Sequence, residues 1–362
     1  MRALHSSRQR NPNNQKATGV PPVPPEDSPK AGAVQLQGSA PRSRGPMDVR
    51  QSVTDRIIAM LEKGGNVFRE RWTRAASRGM PRNGKTGAPY HGANVLLLWD
   101  AAIEQGYISN VWLTYKQAAS LGAQVRKGER AVLCAHFERK AIRASAATAD
   151  DRGIATRDEE GGEEAAGARS FLLCTPFWVF NVAQIDGLPA TLVDDAVASK
   201  QWVDRSPIEG AMRFIGGCRA DIRHGYERAA YAPHADRILM PDVDRFTSPE
   251  AYCATALHEL VHWTGHPDRL ARAFGQRFGD TAYAFEELVA ELGCAFVLGH
   301  IGLVDATIEG HAAYLDAWLQ VLRNDRTAIF TAARLAGEAF EYILSRELPC
   351  VAQRVLDDPI EE

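Results

Sequence analysis

The stretch YCATALHELVHWTGHP, residues 252–267, restricts the fold more than any other part of the chain. It sets His258, His262 and His266 four residues apart, with Glu259 directly after the first histidine. Spacing of four stacks side chains on one face of a helix. Ser248-Pro249-Glu250 opens such a helix, with a serine N-cap, a proline at the first helical position and a carboxylate in the first turn. The predicted helix runs over 249–264, where His258 and His262 can bind one ion. Glu259, about 100° round the helix, reaches a water on that ion without becoming a ligand, the geometry of a metallopeptidase general base. A core pair of histidines satisfied by a glutamate is the alternative these residues leave open.

Gly265 and Pro267 end the helix before His266 can extend its face, so the third ligand is sought downstream. FEELVAELGCAF, within a predicted helix over 282–299, carries Glu287 and Glu291 at spacing four. A carboxylate ligand on a second helix, with another one turn later to orient a ligating histidine, is the gluzincin arrangement. Glu287 is the expected ligand, Glu291 the orienting carboxylate and Glu286 the reserve, since the helix phase is open. Tyr283, one turn before Glu287, either stabilises an oxyanion or packs in the core. Zn2+ is the expected ion and Mn2+ the second candidate. The strand DRILMP, just before the metal helix, is expected to offer an edge to an extended peptide.

Charge is uneven along the chain. Residues 51–145 carry 15 Lys/Arg against 7 Asp/Glu, and residues 146–362 carry 19 against 35. A basic first half suggests a polyanionic partner; solvated charged faces are the alternative. Residues 67–99, VFRERWTRAASRGMPRNGKTGAPYHGANVLLLW, interleave Arg71, Arg74, Arg82, Asn83 and Lys85 with Trp72 and Tyr90. VRKGER adds Arg126, Lys127 and Arg130. Cations on phosphates and aromatic faces under bases hold single-stranded nucleic acid in this way. The plainer alternative makes Trp72, Tyr90, Trp99, Trp112 and Tyr115 core residues with a basic rim, and for Trp99, after LLL on a helix, core is the preferred reading.

Residues 1–46 are a basic, proline-rich tail expected to be disordered. A DNA-binding domain is expected over 47–190, mixed α and β, interrupted by a disordered acidic insert at 141–169. A mostly helical domain with a small sheet follows over 195–350. The fold class is therefore α+β. No run of residues is long and apolar enough for a membrane helix or a signal-peptide core. Six scattered cysteines without a CxxC pair suggest reduced, buried thiols, and the expected location is the cytoplasm.

PRNGKTGAPYHGANVLLLW, VWLTYKQAASLGAQVRKGER, YCATALHELVHWTGHPDRL and YAFEELVAEL occur in that order. This series resembles the ArdC-type antirestriction proteins of conjugative plasmids. The resemblance implies an N-terminal domain that binds single-stranded DNA and a C-terminal zincin-like metallopeptidase domain. It further implies protection of incoming conjugative or mobile-element DNA from host restriction, with passage to a recipient cell alongside that DNA. It supports His258, His262 and Glu287 as ligands and Glu259 as base. The protein substrate is unidentified, with a host restriction or DNA-bound protein as the expected class. The competing reading is a non-catalytic single-strand-binding protection protein whose metal site is structural or vestigial. A third has the acidic half mimicking DNA.

Overall fold

Val49, Val53, Ile57, Met60 and Leu61 recur at helical spacing and form the buried stripe of α1, Val49–Ala76. The computed structural model describes residues 47–76, 79–141, 170–192, 206–273, 281–303 and 315–347. The expected tail lies outside these residues, as does nearly all of the expected insert. For Arg71, Trp72 and Arg74 the helical backbone is described but the side chains are not.

α1 runs on through Gly64-Gly65, where the sequence suggested a stop. A glycine in a helix costs only about 1 kcal/mol relative to alanine, and the residues that follow, NVFRERWTRAA, contain good helix formers. Asp48 caps the start of α1, its Oδ1 accepting the Gln51 N–H at 3.2 Å.

β1 (Arg82–Asn83), β2 (Val111–Leu113), β4 (Val132–Ala141) and β5 (Ser170–Asn181) make one sheet in the order β1-β2-β5-β4. β1 runs parallel to β2 and the other pairs are antiparallel. α2 (Ala93–Glu104) is buried over most of its length, and Asn94 pins it to the edge of β4 through two 2.9 Å hydrogen bonds with the Ala135 backbone. α3 (Tyr115–Ser120) opens on a capping box between Thr114 and Gln117. β3 (Gln124–Val125) pairs with β6 (Ile185–Asp186).

After α4 (Pro207–Cys218) come β7 (Asp221–Arg223), β8 (Ala230–Ala232) and β9 (Arg237–Leu239). β9 lies in the middle of this three-stranded sheet, parallel to β7 and antiparallel to β8. The expectation that DRILMP is a free edge is therefore corrected: both of its edges are paired. The short, charged ADIR gives no strand signal, so its pairing with β9 was not foreseen. β8 holds an edge position instead and packs on α5.

α5 (Pro249–Thr264), α6 (Thr281–Ile301), α7 (Leu315–Asn324) and α8 (Ala328–Leu344) complete the described chain. α5 has the limits predicted for it and is the central helix, buried from Ala251 to Thr264 apart from Thr255. The α+β class with two parts holds, and a single hydrophobic core runs through both. Trp99 of α2 meets Phe296 of α6 edge to face at 6.0 Å, and Phe137 of β4 meets Phe330 of α8 at 4.9 Å. Thr54 of α1 donates to the Arg326 carbonyl at 2.8 Å. Among the described residues no helix is long and apolar enough to cross a membrane. Cys134, Cys174, Cys218, Cys253 and Cys294 are free and buried.

Candidate metal centre

Ser248 begins the centre by capping α5, its Oγ accepting the Ala251 N–H at 3.1 Å. One turn apart on the helix that follows, the rings of His258 and His262 approach to 4.9 Å between centroids. α6 crosses this helix closely because residue 293 is a glycine. A Cβ there would lie 2.9 and 3.1 Å from the two methyls of Val261. The same crossing brings the Glu287 carboxylate to the histidines.

The donor atoms converge. His258 Nε2 and His262 Nε2 are 3.2 Å apart, and Glu287 places Oε2 at 3.6 Å from the first and Oε1 at 3.6 Å from the second. Ligands held tetrahedrally at roughly 2.0–2.2 Å from an ion stand about 3.3–3.6 Å from one another. Two imidazoles and one carboxylate at these separations fit a divalent cation. Among the described residues this is the one cluster of metal-ligating side chains so disposed. His266 is not in it: the chain turns after Gly265, and His266 Nδ1 accepts the Asp268 N–H at 3.2 Å.

Each ligating imidazole is backed by a carboxylate on its other nitrogen. Glu291 Oε2 lies 3.8 Å from His258 Nδ1, and Glu286 Oε1 lies 3.2 Å from His262 Nδ1. Such partners fix ring orientation and raise ligand basicity. Glu286, the reserve ligand from the sequence, thus stands behind His262. It is held there by Arg272, whose side chain is 2 % exposed and reaches Glu286 through Nε at 3.1 Å and a terminal nitrogen at 2.8 Å. The guanidinium also donates to Thr264 Oγ1 at 2.8 Å and the Val261 carbonyl at 2.6 Å. Sequence reasoning missed Arg272. Its only signal is a cation ten residues past His262, in a turn whose path could not be foreseen.

Burial works against charge on His262, Glu286 and Glu287, yet the cluster overcomes it. In the metal-free chain burial disfavours protonated His262, but the Glu286 hydrogen bond and the carboxylates of Glu287, Glu286 and Glu259 push its pKa up to about 9. Burial likewise disfavours ionised Glu287, while the His258 hydrogen bond, both imidazoles and the Tyr283 hydroxyl hold it down to about 2. Glu286 is lowered for the same reasons, against burial, by His262 and Arg272. A proton on His262 therefore occupies part of the electrostatic role of an ion. Glu259 is 8 % exposed and is not one of the converging ligands.

The basic residues singled out in the first half are dispersed in function. Asn83 spends its side chain on its own turn: Oδ1 accepts the N–H groups of Lys85 and Thr86, and the amide donates to Gln117 at 3.2 Å and Tyr90 at 3.4 Å. Tyr90 is partly buried against Phe177, its ring stacked at 6.4 Å. Arg126 is exposed but paired with Glu129 at 2.8 Å and Asp186 at 3.3 Å. Lys85, Lys127 and Arg130 are exposed and Arg82 is partly buried. Trp99, read as core, is fully buried, as is Trp112, while Tyr115 is 52 % exposed.

A mixed α/β part followed by a two-histidine, one-glutamate centre on crossed helices defines a zincin-like protein with an added N-terminal part. Residues 209–335 match the model of a zincin-like metallopeptidase, and residues 47–180 match that of the N-terminal domain of anti-restriction factor ArdC. The metal-free crystal structure of antirestriction protein ArdC from plasmid R388 is 36 % identical, with a TM-score of 0.62, over 83 % of this chain and 98 % of that one. The Mn(II)-bound structure of that protein matches at 33 % identity with the same TM-score and coverage. Protein y4eC of Sinorhizobium fredii is 35 % identical over 83 % of this chain and 93 % of its own. DNA primase TraC of Escherichia coli is 34 % identical over 86 % of this chain, which spans only 28 % of that longer protein. The chain belongs to the ArdC family of antirestriction proteins.

Proposed function

We propose that this chain protects incoming single-stranded DNA from restriction, holding the strand with its N-terminal α/β part and hydrolysing a protein substrate at the metal centre. The observation that carries the catalytic half is the separation of tasks among buried glutamates. Glu287 lies with the ligands, Glu286 and Glu291 stand behind the two histidines, and Glu259, buried directly after His258 on α5, is not one of the converging donors.

His258, His262 and Glu287 would hold the ion. A divalent ion bound there supplies Lewis acidity that polarises a water and a scissile carbonyl. Glu259 takes a proton from the attacking water and passes it to the departing amine. Tyr283 offers its O–H where charge develops on the carbonyl oxygen. β8, an edge strand packed on α5, gives an extended substrate a ladder to join. Zn2+ is the ion we favour for this chemistry, and the Mn(II)-bound relative keeps Mn2+ as its competitor.

The deciding experiment is Glu259→Gln. Metal content is expected to stay at the parent level while protection of transferred DNA in cells is lost. Retained protection with intact metal binding would instead assign the centre a structural role and leave DNA coating as the mechanism.

A further inference from the structure

α3 packs on the sheet beside β5 and covers part of one sheet face. Phe180 of β5, paired with Leu113 of β2, lies beneath it in a small cluster with Ala118. Side chains alternate along a strand, so Trp178 shares the face of Phe180. Its cross-strand partner is Leu133 of β4. At Trp178 this cover is incomplete, and the indole is 48 % exposed. Tyr115, in the first turn of α3, is 52 % exposed, and its hydroxyl accepts from Gln124 at 3.1 Å. Both aromatics stand two residues from the Leu113–Phe180 pair, Tyr115 after the chain leaves β2 and Trp178 before it on β5.

Exposed cations border this place. Lys116 follows Tyr115 on α3, and Lys85 is tied to α3 through a 2.7 Å bond to Ser120 Oγ. Lys127 and Arg130 lie exposed on the β3–β4 turn, which is fixed to the end of β5 where Gln184 donates to the Arg130 carbonyl at 3.0 Å. Two large apolar rings left in water among lysines and arginines, in the basic half of the chain, fit a strand that offers bases to stack and phosphates to neutralise.

We propose that Tyr115 and Trp178 are the base-stacking residues of this chain, and that single-stranded DNA runs over the α3–β5 face between Lys116 and the Lys127–Arg130 turn. The proposal rests on the single-strand reading given above and specifies its surface, replacing Tyr90 as the stacking ring.

The test is fluorescence anisotropy of a labelled oligothymidylate of about 20 nucleotides with the full chain. Tyr115→Ala and Trp178→Ala are each expected to weaken binding by roughly 5- to 150-fold, while Tyr115→Phe keeps parent affinity. Lys116→Glu is expected to flatten the salt dependence. Metal content and thermal midpoint of Tyr115→Ala are expected to match the parent, which separates lost stacking from lost folding. Failure of the parent chain to bind the oligonucleotide sinks the single-strand reading itself. Parent-like affinity in both alanine variants overturns only this surface. Altered sedimentation with unchanged DNA affinity also overturns it, because the face would then join copies of the chain.

Discussion

Glu286 and Glu287 are adjacent in sequence, yet alanine at each is expected to damage different properties. Glu286→Ala removes the counter-charge of Arg272, a side chain 2 % exposed, and strips His262 Nδ1 of its partner. Breaking a buried ion pair from one side costs about 3–5 kcal/mol, so the metal-free chain should lose that much stability. Losing an orienting carboxylate typically weakens metal binding by about 10- to 100-fold. Glu287→Ala removes a ligand, and its metal affinity is expected to fall further. It strands no permanent charge, because its neighbours are His258 and His262, which can give up protons, and Tyr283. Its stability cost without metal is expected to be smaller than that of Glu286→Ala. Urea unfolding in EDTA and competition against a chromophoric chelator measure the two quantities separately. Abolished metal binding in Glu286→Ala with near-parent affinity in Glu287→Ala would refute the ligand assignment. Equal stability losses would refute the account of Arg272.

Metal affinity should rise by about tenfold per pH unit between roughly pH 7 and 8.5, since His262, pushed up to about 9, must lose its proton before it ligates. A flat chelator-competition profile would contradict this. In the metal-free chain the raised His262 stabilises fully below its ordinary 6.5, and that contribution is lost as pH climbs through 9. Glu287, held near 2, stabilises above its ordinary 4.5 and loses that contribution as pH falls through 2. Urea midpoints in EDTA are therefore expected to decline on both flanks of the 4.5–6.5 interval. Gly293→Ala would drive a Cβ into Val261 and is expected to cost about 1–3 kcal/mol, with partial rescue by Val261→Ala in a double-mutant cycle. Trp99→Ala empties a fully buried site against Phe296 and is expected to cost about 3–5 kcal/mol in one cooperative unfolding transition. Two separated transitions would show that the shared core does not couple the two parts.

The metal helix was legible because its signals are local. A serine cap, a proline at the first position and four-residue spacing of histidines all act within one element, and α5 has the limits they imply. The pairing of Glu287 with Glu291 on one face was legible for a related reason, since spacing within a helix fixes which carboxylates share a face. What depended on tertiary approach was not. Which of Glu286 and Glu287 meets the metal side of His262 is set by the α5–α6 crossing at Gly293, and a lone glycine does not announce its neighbour. The continuity of α1 through Gly64-Gly65 is likewise a contest between local propensity and the residues around it. The surroundings of Tyr90 and Tyr115 depend on tertiary approach in the same way. Polar surroundings in sequence do not say which ring Phe177 covers or where α3 stops covering β5.

Formal charge explains why this centre invites a dication. Glu259, Glu286, Glu287 and Glu291 are all buried together, against one permanent cation in Arg272. Counted as formal charges, these side chains leave three negatives in excess, which a divalent ion would cut to one. The site is thus arranged around positive charge, with Glu286 Oε1 at 3.2 Å from His262 Nδ1 and Glu291 Oε2 at 3.8 Å from His258 Nδ1. Glu259, buried directly after His258 on α5, is not one of the converging ligands. A metal-holding site needs its ligands and their supports, and a further buried carboxylate next in sequence to the first ligand stands where a general base for hydrolysis is needed.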